Sequence, residues 1–409
     1  MQVLRNRSLA ALIAAEVVSS LGSRITFLAL PWFVLVTTDS AARMGIVLAV
    51  QMAPVALLGI PSGTLVAKLG ARRTMQLCDL IRVPLMCSLP LLHAAGLLTF
   101  PLLLAIVFAI GCFLAPFFAS QRVILPELVG EDETTVAQAN AVIEGATTLT
   151  NLIGPVAAGL LIATVGATNA LYVDAATFAI SFLTLTLFVP SRPPLPQTED
   201  AHGLFAGLRF LLRDPLLWRI GLAAVFLNMF GSALGAALPV LAFDEFDESS
   251  RVAGALFASL GAGALVGMVL AMKLMPRFKP LKLAAFGIVA LPLPIWLLGL
   301  DLPLWATMAA LFVSSIPQPL VNAPVIGLMT TRTPEALRPK LMTAVLTMAM
   351  LAGPIGLAAA GPLLEELGTR PVFGLIAAGM TVFALYFASV ALRFGPRATP
   401  ETQPVTATF

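Results

Sequence analysis

The stretch GTLVAKLGARR, Gly63 to Arg73, carries three basic residues, Lys68, Arg72 and Arg73, between two long apolar segments. A weaker copy, AMKLMPRF, lies 205 positions further on, with Lys273 in the place of Lys68 and Arg277 in that of Arg72. A basic turn repeated between apolar segments implies two similar halves, a plan typical of proteins that open alternately to the two sides of a bilayer. Other repeats agree. Gly159 and Gly166 recur as Gly361 and Gly368, and Pro126-Glu127-Leu128 as Pro334-Glu335-Ala336.

Working outward, the chain is 59% hydrophobic and 11% charged over 409 residues, with a mean hydropathy of +0.96. So few charges cannot cover a soluble domain of this size. Apolar runs of about 20 residues, enough to cross a hydrocarbon core of about 30 Å, recur along the chain. They predict an all-α integral membrane protein with helices over 8–37, 44–66, 75–97, 100–122, 136–163, 168–189, 218–243, 251–272, 281–300, 303–331, 339–363 and 371–393. Gly and Pro within them are compatible with helices in lipid. The first helix keeps Glu16 and Arg24 and is too long for a cleavable leader.

With the N-terminus inside, nineteen of the 24 Lys and Arg residues fall on the cytoplasmic side, three (Arg43, Arg251, Arg370) in outer loops and two (Arg24, Arg82) within spans. This bias places both termini in the cytoplasm and explains the basic excess without nucleic acid. The expected parts are a six-helix bundle over 1–189, a linker with an interfacial helix over 190–217, a second bundle over 218–393, and a cytoplasmic tail over 394–409. Phe205, Leu208, Leu211 and Leu212 give the linker helix its apolar face.

Charges inside spans are expensive and mark functional candidates. Away from the span ends six occur, all in the first half: Glu16, Arg24, Asp79, Arg82, Glu144 and Asp174. Asp79 and Arg82, at i and i+3, can pair on one helix face. With Gly63, Lys68, Gly70, Arg72 and Arg73 they are assigned to a cytoplasmic gate, a purely structural clasp being the alternative. Glu144 shares a polar stripe with Asn140, Thr147 and Asn151 and is the first candidate for a proton carrier, followed by Glu16 and Asp174. For Asp174 a hydrogen-bonding role in helix packing is the alternative. Cys78, Cys87 and Cys112 read as buried small residues, and His93 and His202 as isolated loop residues. No phosphate-binding glycine loop is present, so ATP hydrolysis is not supported. The chemistry expected is that of a transporter, not an enzyme, with no cofactor or metal.

Several stretches together resemble the major facilitator superfamily, in its macrolide-efflux and enterobactin-exporter branch. They are SSLGSRITFLALPWFVLVTT, GTLVAKLGARR, QRVILPELV, AQANAV, GPVAAGLL, LYVDAATFAISF, GLRFLLRDPLL, TRTPEALRPKL and GPLLEELGTRPV. Three positions depart from the family pattern: Ala67 stands where an acid usually precedes the basic residue, Ser23-Arg24 follows Leu21-Gly22 where an Asp is usual, and Pro339 replaces a Gly. The resemblance implies that the first, fourth, seventh and tenth helices line a central cavity. Glu16, Ser20, Ser23, Arg24 and Phe27 would then face it, with Asn228, Phe230, Ser232, Gln318 and Asn322 opposite. Gly154, Pro155 and Gly159 resemble a reduced form of the fifth-helix glycine-proline signature of antiporters. The expected function is proton-coupled export of amphipathic or lipophilic compounds by rocker-switch alternating access, from a monomer in the cell membrane. Export of one metabolite or siderophore is the alternative, and a non-transporting membrane enzyme or receptor a more distant one.

Overall fold

The computed structural model describes residues 7–129, 133–190, 206–333 and 338–394, and all regular structure among them is helical. Three helices form the first spans: α1 (Arg7–Thr38), α2 (Ala41–Leu69) and α3 (Ala71–Ala94). The fourth span is divided into α4 (Phe100–Cys112) and α5 (Leu114–Val129). Pro116 has no N–H for the Cys112 carbonyl, so the helix tightens there, with Phe113 N–H reaching back only to Ile110. Helices α6 (Glu133–Val165) and α7 (Ala167–Phe188) complete the first half, and short α8 (Ala206–Arg213) leads into the second.

The second half begins with α9 (Pro215–Glu245) and α10 (Ser250–Leu274). Its ninth span is α11 (Pro280–Ala290) followed by a 3-10 turn over Pro294–Gly299, because Pro292 and Pro294 remove two α-helical donors two residues apart. Pro317 and Pro319 likewise divide the tenth span into α12 (Leu304–Ser315) and α13 (Gln318–Arg332). Helices α14 (Arg338–Leu367) and α15 (Thr369–Phe394) end the fold. Eleven helical segments of the described chain are long and apolar enough to span a bilayer. The remaining long helix, α14, is 30 residues and packs between α2 and α9.

The basic stretch is not a loop. Helix α2 runs to Leu69 and α3 starts at Ala71, so Gly70 alone forms the joint. Its φ of +82° is a left-handed conformation that glycine adopts without a Cβ penalty, which lets the chain reverse within one residue. Gly166 and Gly368, the repeated pair, form equivalent joints at the opposite end of the bundle.

Short α8 does more than lie at an interface. Leu211 is fully buried with Leu216, Leu217 and Ile220 of α9, whereas Leu212 is exposed. Asp214 caps α9 by accepting from the Leu216 and Leu217 amides at 2.8 and 3.2 Å, and it pairs with Arg332 at 3.3 Å. Phe205 and the preceding linker lie outside the described residues.

The core is distributed unevenly along the bundle. At the Gly166/Gly368 end one cluster joins both halves, uniting Leu35, Met44 and Ile162 with Leu241, Ala253 and Leu364. Toward the Gly70 end the cluster separates into two, one around Leu12, Met75 and Ile124, the other around Ile220, Ala284 and Phe387. Among the described residues the halves are thus fused at one end and packed in separate clusters at the other.

Candidate functional site

The fused end is built on close backbone contacts between halves. A Cβ on Gly159 of α6 would lie 2.6 Å from the Ser250 carbonyl oxygen of α10, and one on Gly254 would lie 2.5 Å from the Pro155 carbonyl oxygen. Across the other seam, a Cβ on Gly361 of α14 would lie 2.6 Å from the Ala41 oxygen, and one on Gly45 of α2 would lie 2.6 Å from the Leu357 oxygen. The repeated Gly159 and Gly361 therefore occupy corresponding places in two related seams. Their partners, Gly45 and Gly254, were missed in the sequence, although Ala41/Gly45 and Ser250/Gly254 show the small-residue spacing that permits close helix approach.

Polar and aromatic contacts reinforce these seams. Glu365 of α14 accepts from Ser40 Oγ at 2.9 Å and from the Ala42 amide at 3.0 Å, at the N-terminus of α2. These bonds, the amide's first, hold its carboxyl below the ordinary glutamate range. No local signal marks Glu365, whose partners lie more than 320 positions away. Trp32 meets Phe243, and Phe27 meets Phe257, edge-on at 5.9 and 5.7 Å between ring centres.

Just inward of that contact, α1 faces α6. Glu16 and Ser20 line a cleft with Val17, Ile143, Ala146, Thr147 and Thr150, and Glu16 is only 7% exposed. Ser23 and Arg24 are half-buried further along α1. The stem of Arg24 crosses Gly154, where a Cβ would lie 2.6 Å from the Arg24 Cβ. Glu16 and Arg24 form no ion pair; among the described residues Arg24 has no charged partner. Glu144 is on α6, but its side chain, like that of Asn140, lies outside the described residues.

Asp79 and Arg82 do pair, at 2.7 Å, and both are buried. The structure adds what their spacing could not show. The Arg82 guanidinium lies between the rings of Phe117 and Phe178, 4.7 and 4.2 Å from their centres. Asp174, fully buried on α7, accepts hydrogen bonds from the Thr26 and Thr177 hydroxyls and lies within the field of Arg82 and Asp79. A Cβ on Gly22 would collide with Thr177 and Asp174, so the Leu21-Gly22 step lets α1 close on this group. Two acids and one base are thus enclosed inside the first half, tying α1, α3, α5 and α7 together. Asp79 Oδ2 and Ser181 Oγ are buried without a hydrogen-bond partner of good geometry.

The other candidates are dispersed. Arg72 donates to the Leu185 and Thr186 carbonyls at 3.1 and 2.8 Å, fastening α3 to the end of α7 within one half; Lys68 and Arg73 are exposed. Asn228, Gln318 and Asn322 are exposed on α9 and α13, and Ser232 lies beside Gly353 of α14. Phe230 departs from its expected cavity-facing position. Its ring fills the space a side chain on Gly379 of α15 would take, and it packs near Phe383 with centres 6.2 Å apart. His93 is not in a loop either: it ends α3, edge-on to Phe33 at 4.9 Å. His202 lies outside the described residues. The three cysteines are free, and no group of metal-binding side chains occurs among the described residues.

The sequence model of the Major Facilitator Superfamily matches residues 12–356 and 222–408. The chain is 28% identical over 377 residues to the multidrug efflux pump Tap of Mycolicibacterium fortuitum, covering 88% of this chain and 90% of that protein. It is 33% identical over 241 residues to the enterobactin exporter EntS of Escherichia coli O1:K1 / APEC, covering 54% of each. Among solved structures, a bacterial homologue of the human lysosomal transporter Spinster superposes with a TM-score of 0.75 at 16% identity, over 95% of this chain and 97% of that one. The nucleoside transporter NupG gives the same score and identity over 93% and 98%.

Proposed function

Since the chain belongs to the major facilitator superfamily, and is a multi-pass membrane transporter and not an enzyme, we propose that it exports amphipathic or lipophilic compounds in exchange for protons by alternating access. The observation that carries the mechanism is the fusion of the halves at one end and their separate cores at the other. That is the form of a carrier closed on one face and open on the other. The Lys and Arg bias supports a reading in which the Gly70 end and both termini face the cytoplasm of a bacterial cell and the fused end faces outward. Cargo enters from inside the cell, between α1 and α6 on one wall and α9 and α13 on the other.

In the return stroke the seams at Gly159/Gly254 and Gly45/Gly361 part while the Gly70 end closes. Gly63, Lys68, Gly70, Arg72 and Arg73 act there as parts of a rigid half, with Arg72 holding α3 to α7. Pro155 and Gly159 supply the helix face on which α10 rocks, while Gly154 faces the stem of Arg24 on α1. Glu144 and Glu16 are the coupling carboxylates in this reading, Glu16 lining the cleft between α1 and α6, whereas Asp174, enclosed with Arg82, holds the half together. Multidrug efflux, as the name of Tap describes, fits the neutral polar groups Asn228, Ser232, Gln318 and Asn322 better than a single-metabolite site. The carrier is expected to work as a monomer, without a cofactor.

Inverted vesicles containing the protein should accumulate several unrelated amphipathic dyes when energised. A protonophore should abolish uptake, and Glu144→Gln should reduce it to background. Uptake that survives the protonophore would remove proton coupling from the account, and transport of one compound only would favour a dedicated metabolite exporter.

A further inference from the structure

Arg24 is a cation within the first span whose charge nothing in the described protein answers. The contrast with Arg82 is direct. Arg82 has Asp79 at 2.7 Å, Asp174 nearby and two aromatic rings. Arg24 has no hydrogen-bond, ion-pair or charged partner among the described residues. Glu16 is eight positions away, about 12 Å by helical rise, and turns into the cleft beside Ile143 and Ala146. Glu144 stands ten positions before Gly154 on α6, about 15 Å by helical rise, and its side chain lies outside the described residues.

The position of Arg24 tells what could answer it. One turn outward on the same face, Phe27 meets Phe257 of the other half, and next to Gly154 the Pro155 carbonyl touches the Gly254 backbone. Arg24 therefore stands where the opening between the halves ends, just inside the closed contact. Gly154 has no side chain to displace it, so the stem of Arg24 rests against α6. The polar residues of the opposite half, Asn228, Ser232, Gln318 and Asn322, carry no charge. A cation with no partner among the described residues is retained in such a place at a desolvation cost unless its counter-ion arrives from outside.

We propose that Arg24 is a cargo-binding residue that receives an acidic group, a carboxylate or an acidic phenolate, so that the preferred cargo is an amphipathic anion with its apolar body toward the opening. This rests on the export reading above and specifies its substrate class. A guanidinium offers two parallel N–H donors to such a group, and its charge is worth most in this enclosed setting.

The test uses two probes that share an apolar body, pyrenebutyrate and pyrenylbutyl-trimethylammonium. Binding is measured by fluorescence to the full-length protein in nanodiscs, with empty nanodiscs subtracted. The wild type should bind the anion about tenfold more tightly than the cation. Arg24→Gln should erase that preference, and Arg24→Lys, which keeps the charge, should retain most of it. Equal binding, preference for the cation, binding of neither, or a preference that persists in Arg24→Gln would each overturn the proposal. Should Arg24→Gln not fold, the wild-type and Arg24→Lys preferences still decide. Uptake of the same probes into inverted vesicles separates the two readings: uptake without anion preference leaves export standing and removes this site, whereas anion-selective binding without uptake does the reverse.

Discussion

Leucine in place of Gly159 is expected to abolish export while leaving the protein folded. A Cβ there already comes within 2.6 Å of the Ser250 carbonyl, which is backbone and cannot rotate aside, and a full leucine adds three more carbons. Overpacking of this kind costs about 1–3 kcal/mol. Under the proposed alternating access that penalty falls on the fused state, where α6 and α10 touch at this level. A differential of that size shifts a two-state equilibrium by roughly 5- to 150-fold. The carrier would be held away from its cytoplasm-open form, with uptake into inverted vesicles falling accordingly and thermal unfolding little changed. Gly361→Leu should do the same at the companion seam, where the Ala41 oxygen is as close. Wild-type uptake by either variant would mean that these seams do not carry the switch.

The second large effect is on stability. Arg82→Met should destabilise the first half by about 3–5 kcal/mol, the range for breaking a buried ion pair by removing one partner. Asp79 would lose its 2.7 Å bond, Asp174 its nearby cation, and Phe117 and Phe178 the charge between them. Adding Asp79→Asn to the same chain removes the stranded acid and should recover part of the loss, because replacing a whole buried pair is far less damaging than halving it. Thermal unfolding in detergent measures both. An Arg82→Met protein as stable as wild type would show that the cluster is not what joins α1, α3, α5 and α7.

Much of the architecture was legible because lipid leaves the chain few options. Spans of apolar residues had to be helices, but the breaks at Pro292, Pro294, Pro317 and Pro319 fall in spans that read as continuous helix and appear only in the fold. The pairing of Asp79 with Arg82 followed from helical spacing. Its connection to Asp174 did not, since three helices bring the groups together and nothing local announces it. The repeat of Gly159 and Gly361 was visible in the chain, but its physical reason, two related backbone contacts between halves, appears only when α10 and α2 are in place. Glu365 and Phe230 were beyond the reach of periodicity. One caps a helix of the other half, and the other fills a gap left by a glycine 149 positions later. The basic stretch at Gly63 to Arg73 was recognisable as a duplicated turn, yet its collapse to the single joint at Gly70 depends on one backbone angle.

The central claim is that the two ends of the bundle open in alternation. It is tested most directly by double electron–electron resonance on two spin-label pairs in nanodiscs, one on Arg43 and Glu366 beside the fused seam, the other on Lys68 and Lys273 at the Gly70 end, all four exposed. When cargo and a lowered pH drive the carrier through its cycle, the Arg43–Glu366 distance should lengthen as the Lys68–Lys273 distance shortens, in matching proportions of the population. Distances that remain fixed in a transport-competent protein, or that lengthen together, would contradict alternating access about these seams.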